Sequence, residues 1–217
     1  MKIYVIRSRM LSENTYLAVK EGKALVVDPG VSAEVVLEEC RKLSVTPVAV
    51  LLTHGHIDHI YGAPELQKAG LKVYAHKDEF EVIAGRANLA LALGRSFPPF
   101  SPDVALEEGE LSVPPFLLQV IHTPGHTQGG VCYLVEGALF SGDTLFAGSY
   151  GRTDFPTGDE QDLLCSIANE LFELPPETEV YCGHGECENS VFEQAEPAFP
   201  DTTIGKEYST NPILDLL

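Results

Sequence analysis

Immediately after the apolar run of residues 48–52 and Thr53, the chain reads His54-Gly55-His56-Ile57-Asp58-His59, three imidazoles and a carboxylate within six positions. So dense a polar group cannot be core. Neutral imidazole and ionised carboxylate are the donors that hold zinc, iron or manganese. A turn at a strand end can aim His54 and His56 to one side and Asp58 and His59 to another, so that one loop feeds two metal ions.

Such a site needs ligands from elsewhere in the chain, and three later segments offer them: Thr123-Pro124-Gly125-His126-Thr127, Ser141-Gly142-Asp143-Thr144-Leu145-Phe146 and Cys182-Gly183-His184-Gly185. Each is expected at the end of a strand, with a glycine that lets the backbone turn sharply and approach closely. His122 is a competing donor on the His126 segment, and His76 follows an expected strand as a capping or supporting group.

Taken in order, H-x-H-x-D-H, P-G-H-T, G-D-T-L-F and G-H resemble the metallo-β-lactamase superfamily and, within it, the short glyoxalase II-like (hydroxyacylglutathione hydrolase-like) branch. The resemblance runs from Asp28 to the C-terminus. It implies a four-layer αββα sandwich in the α/β class and two divalent metal ions, zinc expected, with iron or manganese as alternatives. It puts His54, His56 and His126 on the first ion, Asp58, His59 and His184 on the second, and Asp143 between them. It makes Asp28 the acceptor of an imidazole N–H from a ligand, with a turn-forming role as the alternative. It also makes Arg152 a contact for a substrate carboxylate, against the alternative of a loop-bracing pair with Asp154 or Asp159. Where the branch carries a substrate-binding tyrosine, this sequence has Glu186.

A water shared by two divalent cations has its pKa lowered from 15.7 to about 7, a nucleophile made without a side-chain base. Asp58 is expected to orient it. No further acid stands beside the motifs, and a thiolate, with a thiol pKa of about 8.5, leaves without protonation. Thioester hydrolysis, of hydroxyacyl-glutathione or a related small-molecule acyl thioester, is therefore the leading expectation. The alternatives are a mononuclear-iron persulfide dioxygenase, suggested by Gly151-Arg152-Thr153-Asp154-Phe155, then a lactonase or esterase.

The elements that must position these groups follow from periodicity and turn signals. Strands are expected over Lys2–Arg7 and residues 14–19, 24–27, 48–52, 72–75, 117–122, 131–135, 138–140 and 179–181. A strand pair turning at residues 107–110 is expected as well. Ser32 caps a helix over Ala33–Lys42; a short helix follows Pro64, an amphipathic helix lies within residues 78–93, and helix returns over residues 161–172 and in the tail. Strands followed by helices in both halves fit two sheets between helical layers. The 217 residues suit one domain, residues 1–217, with an insertion at the active-site rim over residues 186–199. There Val191, Phe192, Ala195 and Phe199 have the spacing of an amphipathic helical turn.

Composition narrows the partners. Fourteen Lys+Arg against 32 Asp+Glu give a net charge of -18, which repels nucleic acid and anionic membranes. Five cysteines without C-x-x-C spacing, and no secretory signal at the start, point to reduced thiols and a cytoplasmic location. Oligomeric state is not indicated.

Overall fold

Residues 1–185 and 192–217 are described by the computed structural model. The chain opens as an antiparallel meander of β1 (Lys2–Arg7), β2 (Asn14–Lys20) and β3 (Lys23–Val27). Helix α1 (Ala33–Lys42) then crosses back so that β4 (Thr46–Leu51) pairs parallel to β3. Its start is fixed locally: the Ser32 hydroxyl accepts the Val35 N–H, with Glu34 in the first turn and Arg41 and Lys42 in the last, each charge complementing the helix dipole. After α2 (Ile57–Ile60) and α3 (Ala63–Lys68) come β5 (Val73–His76), α4 (Glu79–Ala84) and β6 (Val104–Leu106), both strands parallel to their neighbours.

The second sheet is built from β7 (Gly109–Val113), β8 (Phe116–His122), β9 (Val131–Val135) and β10 (Ala138–Gly142). A small hairpin follows, β11 (Leu145–Phe146) with β12 (Ser149–Tyr150), and then α5 (Glu160–Ser166). β13 (Glu179–Cys182) joins β10 in parallel. β14 (Ala195–Pro197) returns to the first sheet, β15 (Thr202–Thr203) completes the second, and α6 (Ile204–Thr210) packs near the C-terminus. Among the described residues the orders are β14-β1-β2-β3-β4-β5-β6 and β15-β13-β10-β9-β8-β7.

Three apolar layers show why the sheets stack. Side chains alternate across a strand, so on β3 Leu25 and Val27 face the other sheet while Val26 faces α1 and α3. On β9, Val131 and Tyr133 join that intersheet core, whereas Cys132 faces α5 and α6. Helices, sheet, sheet and helices are thereby joined by three buried interfaces, the αββα sandwich expected. No helix among the described residues is long and apolar enough to cross a membrane. Cys40, Cys132 and Cys182 are buried free thiols and Cys165 is exposed; Cys187 lies outside the described residues.

Three expectations are corrected. The strands flanking residues 107–110 do not pair with each other: β6 closes the first sheet on β5, and β7 opens the second on β8, so the chain changes sheets there. The helix within residues 78–93 stops at Ala84, where the extended Gly85 breaks it; a 3-10 turn and the left-handed Leu89 (φ 63°) follow. Over its described part, the 186–199 insertion is not a helical turn. Phe192 bridges Arg7, and β14 lies antiparallel along β1, because a free sheet edge satisfies its backbone groups better than an isolated turn does. Residues 186–191, including Glu186 and Val191, lie outside the described residues.

Candidate metal centre

Each proposed ligand sits just past the carboxyl end of a strand: His54, His56, Asp58 and His59 after β4, His126 after β8, Asp143 after β10, His184 after β13. Asp28 stands likewise after β3. The packing that aligns the strand ends therefore brings the ligands together. The β4 loop is pinned from the second sheet, where the Tyr133 hydroxyl donates to the Leu52 carbonyl at 2.7 Å and the Val131 N–H to the Thr53 carbonyl at 2.9 Å.

His54, His56 and His126 form one group, and Asp58, His59 and His184 another, the donor atoms within each lying no more than 4.8 Å apart. His126 Nε2 is 3.0 Å from His56 Nδ1, and His59 Nε2 is 3.1 Å from His184 Nε2. Asp143 stands between the groups, with Oδ1 3.4 Å from His59 Nε2 and Oδ2 3.5 Å from His126 Nε2 and 3.4 Å from His184 Nε2. Gly183 makes this possible, since a Cβ there would come within 2.3 Å of Asp143 Oδ1.

The donor set fits metal ions by its unmet valences. Among the described residues, His54 Nε2 and Asp143 Oδ1 are buried without a hydrogen-bond partner, a costly arrangement unless something else satisfies them. Nitrogens that share one tetrahedral zinc at 2.0–2.1 Å stand about 3.3 Å apart, close to the spacings here. Burial, then neighbouring His59 and His56, lowers the His54 pKa well below its usual value, and burial with His126 does the same for His56, which leaves both rings as neutral ligands. Asp143 is held well below the usual carboxylate range: burial alone would raise it, but His59 and His184 overcome that. His59 is raised although burial opposes it, because Asp143, Asp58 and the bond to Asp28 favour its charged form. The arrangement is a metal-binding His/Asp cluster.

Most rings are also oriented by an oxygen at the other nitrogen, the usual support for a metal-bound imidazole. His59 Nδ1 is 3.0 Å from Asp28 Oδ2, and Asp28 in turn accepts from Thr53 N–H and hydroxyl. His126 Nδ1 lies 2.7 Å from the Arg152 carbonyl, His184 Nδ1 3.0 Å from the Leu11 carbonyl, and His54 Nδ1 3.1 Å from the Thr53 hydroxyl.

Sequence reasoning missed two buried acids. Glu79 is fully buried, and its carboxylate accepts the Gly55 N–H at 2.7 Å and the Gly129 N–H at 2.8 Å, joining the His54/His56 loop to the His126 loop. A Cβ on Gly55 would lie 2.9 Å from Glu79 Oε2, so glycine is what admits the carboxylate. Burial pushes Glu79 up to about 7 despite those bonds. Glu13, also fully buried, holds the Thr15 hydroxyl beside Asp28 and Asp58, and burial raises it well above the usual range. Neither stands out in sequence, because an acid opening a helix or a turn is ordinarily solvated.

A cavity of about 440 Å³ opens over the cluster, walled by Leu11, Leu89, Leu93, Phe146 and Phe155, with Tyr150 and Arg152 at its side. The broken helix after Ala84 is what delivers Leu89 and Leu93 there. Arg152 reaches the cavity, but Nε and Nη2 each contact an Asp154 oxygen at 2.6 Å and its Cζ lies 4.1 Å from the Phe155 ring centroid.

A family model of the metallo-beta-lactamase superfamily matches residues 9–184. The probable metallo-hydrolase YqgX of Bacillus subtilis (strain 168) is 34% identical over 211 residues, covering 94% of this chain and 93% of its own. The hydroxyacylglutathione hydrolase GloC of Haemophilus influenzae is 33% identical over 224 residues, 99% of each chain. Among solved structures, the BLEG-1 B3 metallo-beta-lactamase superposes with a TM-score of 0.86 at 35% identity, covering 98% of this chain and 99% of that one. TTHA1623 in a di-iron-bound form gives 0.80 at 36% identity, with 96% and 98% covered.

Proposed function

Because the chain belongs to the metallo-beta-lactamase superfamily of metal-dependent hydrolases, we propose that its cluster is a dinuclear centre hydrolysing acyl thioesters with a largely apolar acyl group. The observation that carries this reading is Asp143, whose oxygens reach a histidine of each group and so suit a carboxylate shared by two ions. His54, His56 and His126 would hold one ion and Asp58, His59 and His184 the other. Divalent cations held there supply Lewis acidity, which acidifies water and polarises a carbonyl oxygen.

The protein's own groups do the rest. Asp58 Oδ2, 3.4 Å from His184 Nε2 at the cavity floor, is an acceptor that can orient a nucleophile and take its proton. Leu89, Leu93, Phe146 and Phe155 exclude water and bind the acyl chain. Among the described residues, and apart from the cluster, the proton donors of the lining are Tyr150 and an Arg152 already engaged by Asp154. An amine would need a donated proton, whereas a thiolate of ordinary pKa, about 8.5, would not. The similarity to GloC supports a thioester, the likeness to BLEG-1 makes a β-lactam the competitor, and the di-iron relative supports two ions.

Metal content and turnover test this together. Two ions per chain with thiol release from acyl thioesters, faster than ring opening of lactones or β-lactams, support the reading. A single iron with oxygen uptake on a glutathione persulfide would replace it with a dioxygenase.

A further inference from the structure

Five of the seven histidines belong to the cluster, and the two that remain, His76 and His122, meet each other elsewhere. His76 ends β5 of the first sheet and His122 ends β8 of the second. Their rings stack with centroids 4.2 Å apart and planes within 16°. Asp78 Oδ2 lies 3.6 Å from His76 Nδ1, and one donor atom from each of the three residues falls within 4.8 Å of the other two. We propose that His76, Asp78 and His122 form a separate binding site for a divalent transition metal of the zinc type.

Ring orientation and local charge support it beyond proximity. His122 Nε2 faces the Gln128 carbonyl at 3.3 Å, which places its hydrogen there and leaves the lone pair on Nδ1. This is the support that His126 and His184 receive from carbonyls in the main cluster. Lys77, the cation between two of the ligands, has its charge taken up by Glu107. Glu108, near the His122 N–H, adds negative potential. Coordination requires the stacked rings to hinge apart, and His122 is only half-buried, so it has room to do so. The ion would tie both sheets together at the root of the loop that carries His126. Gln128 already joins that loop to Asp78 through a 2.8 Å bond to the Asp78 carbonyl.

The test is zinc stoichiometry on the metal-loaded protein, equilibrated in zinc buffered by a weak chelator and read by elemental analysis, for wild type, His122→Gln and Asp78→Asn. Each variant is expected to bind one equivalent fewer than wild type, with thioester turnover per chain retained. The difference of one holds whatever the absolute count at the main cluster, so a failure of the dinuclear reading would not mimic it. Cobalt substitution checks the assignment independently: part of the visible absorption should vanish in His122→Gln while the rest is kept. Equal zinc content in wild type and both variants overturns the site. So does loss of an equivalent together with turnover, which would assign that ion to the main cluster.

Discussion

Replacing Glu79 by glutamine separates two consequences of burying a carboxylate that links the ligand loops. The Glu79 pKa rises from 4.5 to about 7 on folding, chiefly through burial. At 1.36 kcal/mol per unit this shift is worth about 3 kcal/mol. Because the folded value is the higher one, the contribution favours the native state fully below pH 4.5 and is lost as pH rises through about 7. Glutamine cannot titrate, and its amide nitrogen would face the Gly55 or the Gly129 N–H donor-to-donor, leaving that donor unsatisfied at a cost of about 1–3 kcal/mol. Metal-free Glu79→Gln should therefore be less stable than wild type by about 1–3 kcal/mol at pH 5. The gap should shrink by about 3 kcal/mol, to nothing or a slight reversal, at pH 8. Urea denaturation of both proteins from pH 5 to 8 measures this, and a stability difference independent of pH would refute the reasoning. With the two loops no longer tied, zinc affinity of the His54/His56/His126 group should also fall by about tenfold, the lower end of what loss of an outer support costs.

Three further outcomes are expected. Asp143→Asn should fold but lose most hydrolytic activity and at least one metal equivalent, since an amide cannot balance two dications; retained turnover would exclude the shared-carboxylate role. Chelation should lower the melting temperature by about 10 °C, because an ion at a thousand times its Kd contributes about 4 kcal/mol and each kcal/mol moves a domain of this size by about 2–4 °C. An unchanged melting temperature would detach the metal from the fold. Asp154→Asn should free the Arg152 guanidinium and lower KM for anionic thioesters relative to neutral ones, and Arg152→Ala should raise it. No charge-dependent change in either variant would leave Arg152 a brace of its loop.

The main cluster is legible in sequence because metal ligation draws on few residue types and because each segment carries a glycine at a strand end. His54 to His59 supply four donors within six positions, and Asp143 and His184 follow Gly142 and Gly183. The local elements with a cap or a clear period are equally legible, Ala33–Lys42 behind Ser32 among them. What escapes is set by distant partners. Residues 104–113 read as a hairpin because two short β-like runs flank a turn, yet β6 finds β5 and β7 finds β8. β14 reads as an amphipathic turn because its apolar spacing says nothing of the free edge of β1. Glu79 looks like any acid in a first helical turn, and only Gly55 and Gly129, 24 and 50 positions away, reveal that it is inside.

The buried acids explain how an anionic chain tolerates so many imidazoles in one place. Asp28, Glu13, Asp58, Asp143 and Glu79 lie within or against the histidine groups, and acids stranded in such low dielectric are unfavourable unless protonated or matched by positive charge. Without ions the matching falls to protons, which is why His59 and His184 are raised by Asp143 and Asp58 while Glu13 is raised by burial. His54 and His56, farther from compensation and equally enclosed, stay neutral instead. Cations entering the cluster replace those protons rather than adding charge to an already neutral interior, so metal binding and proton release are one process here. Glu13 and Glu79, which look like surface charge in the sequence, are in this way part of the surroundings of the cluster.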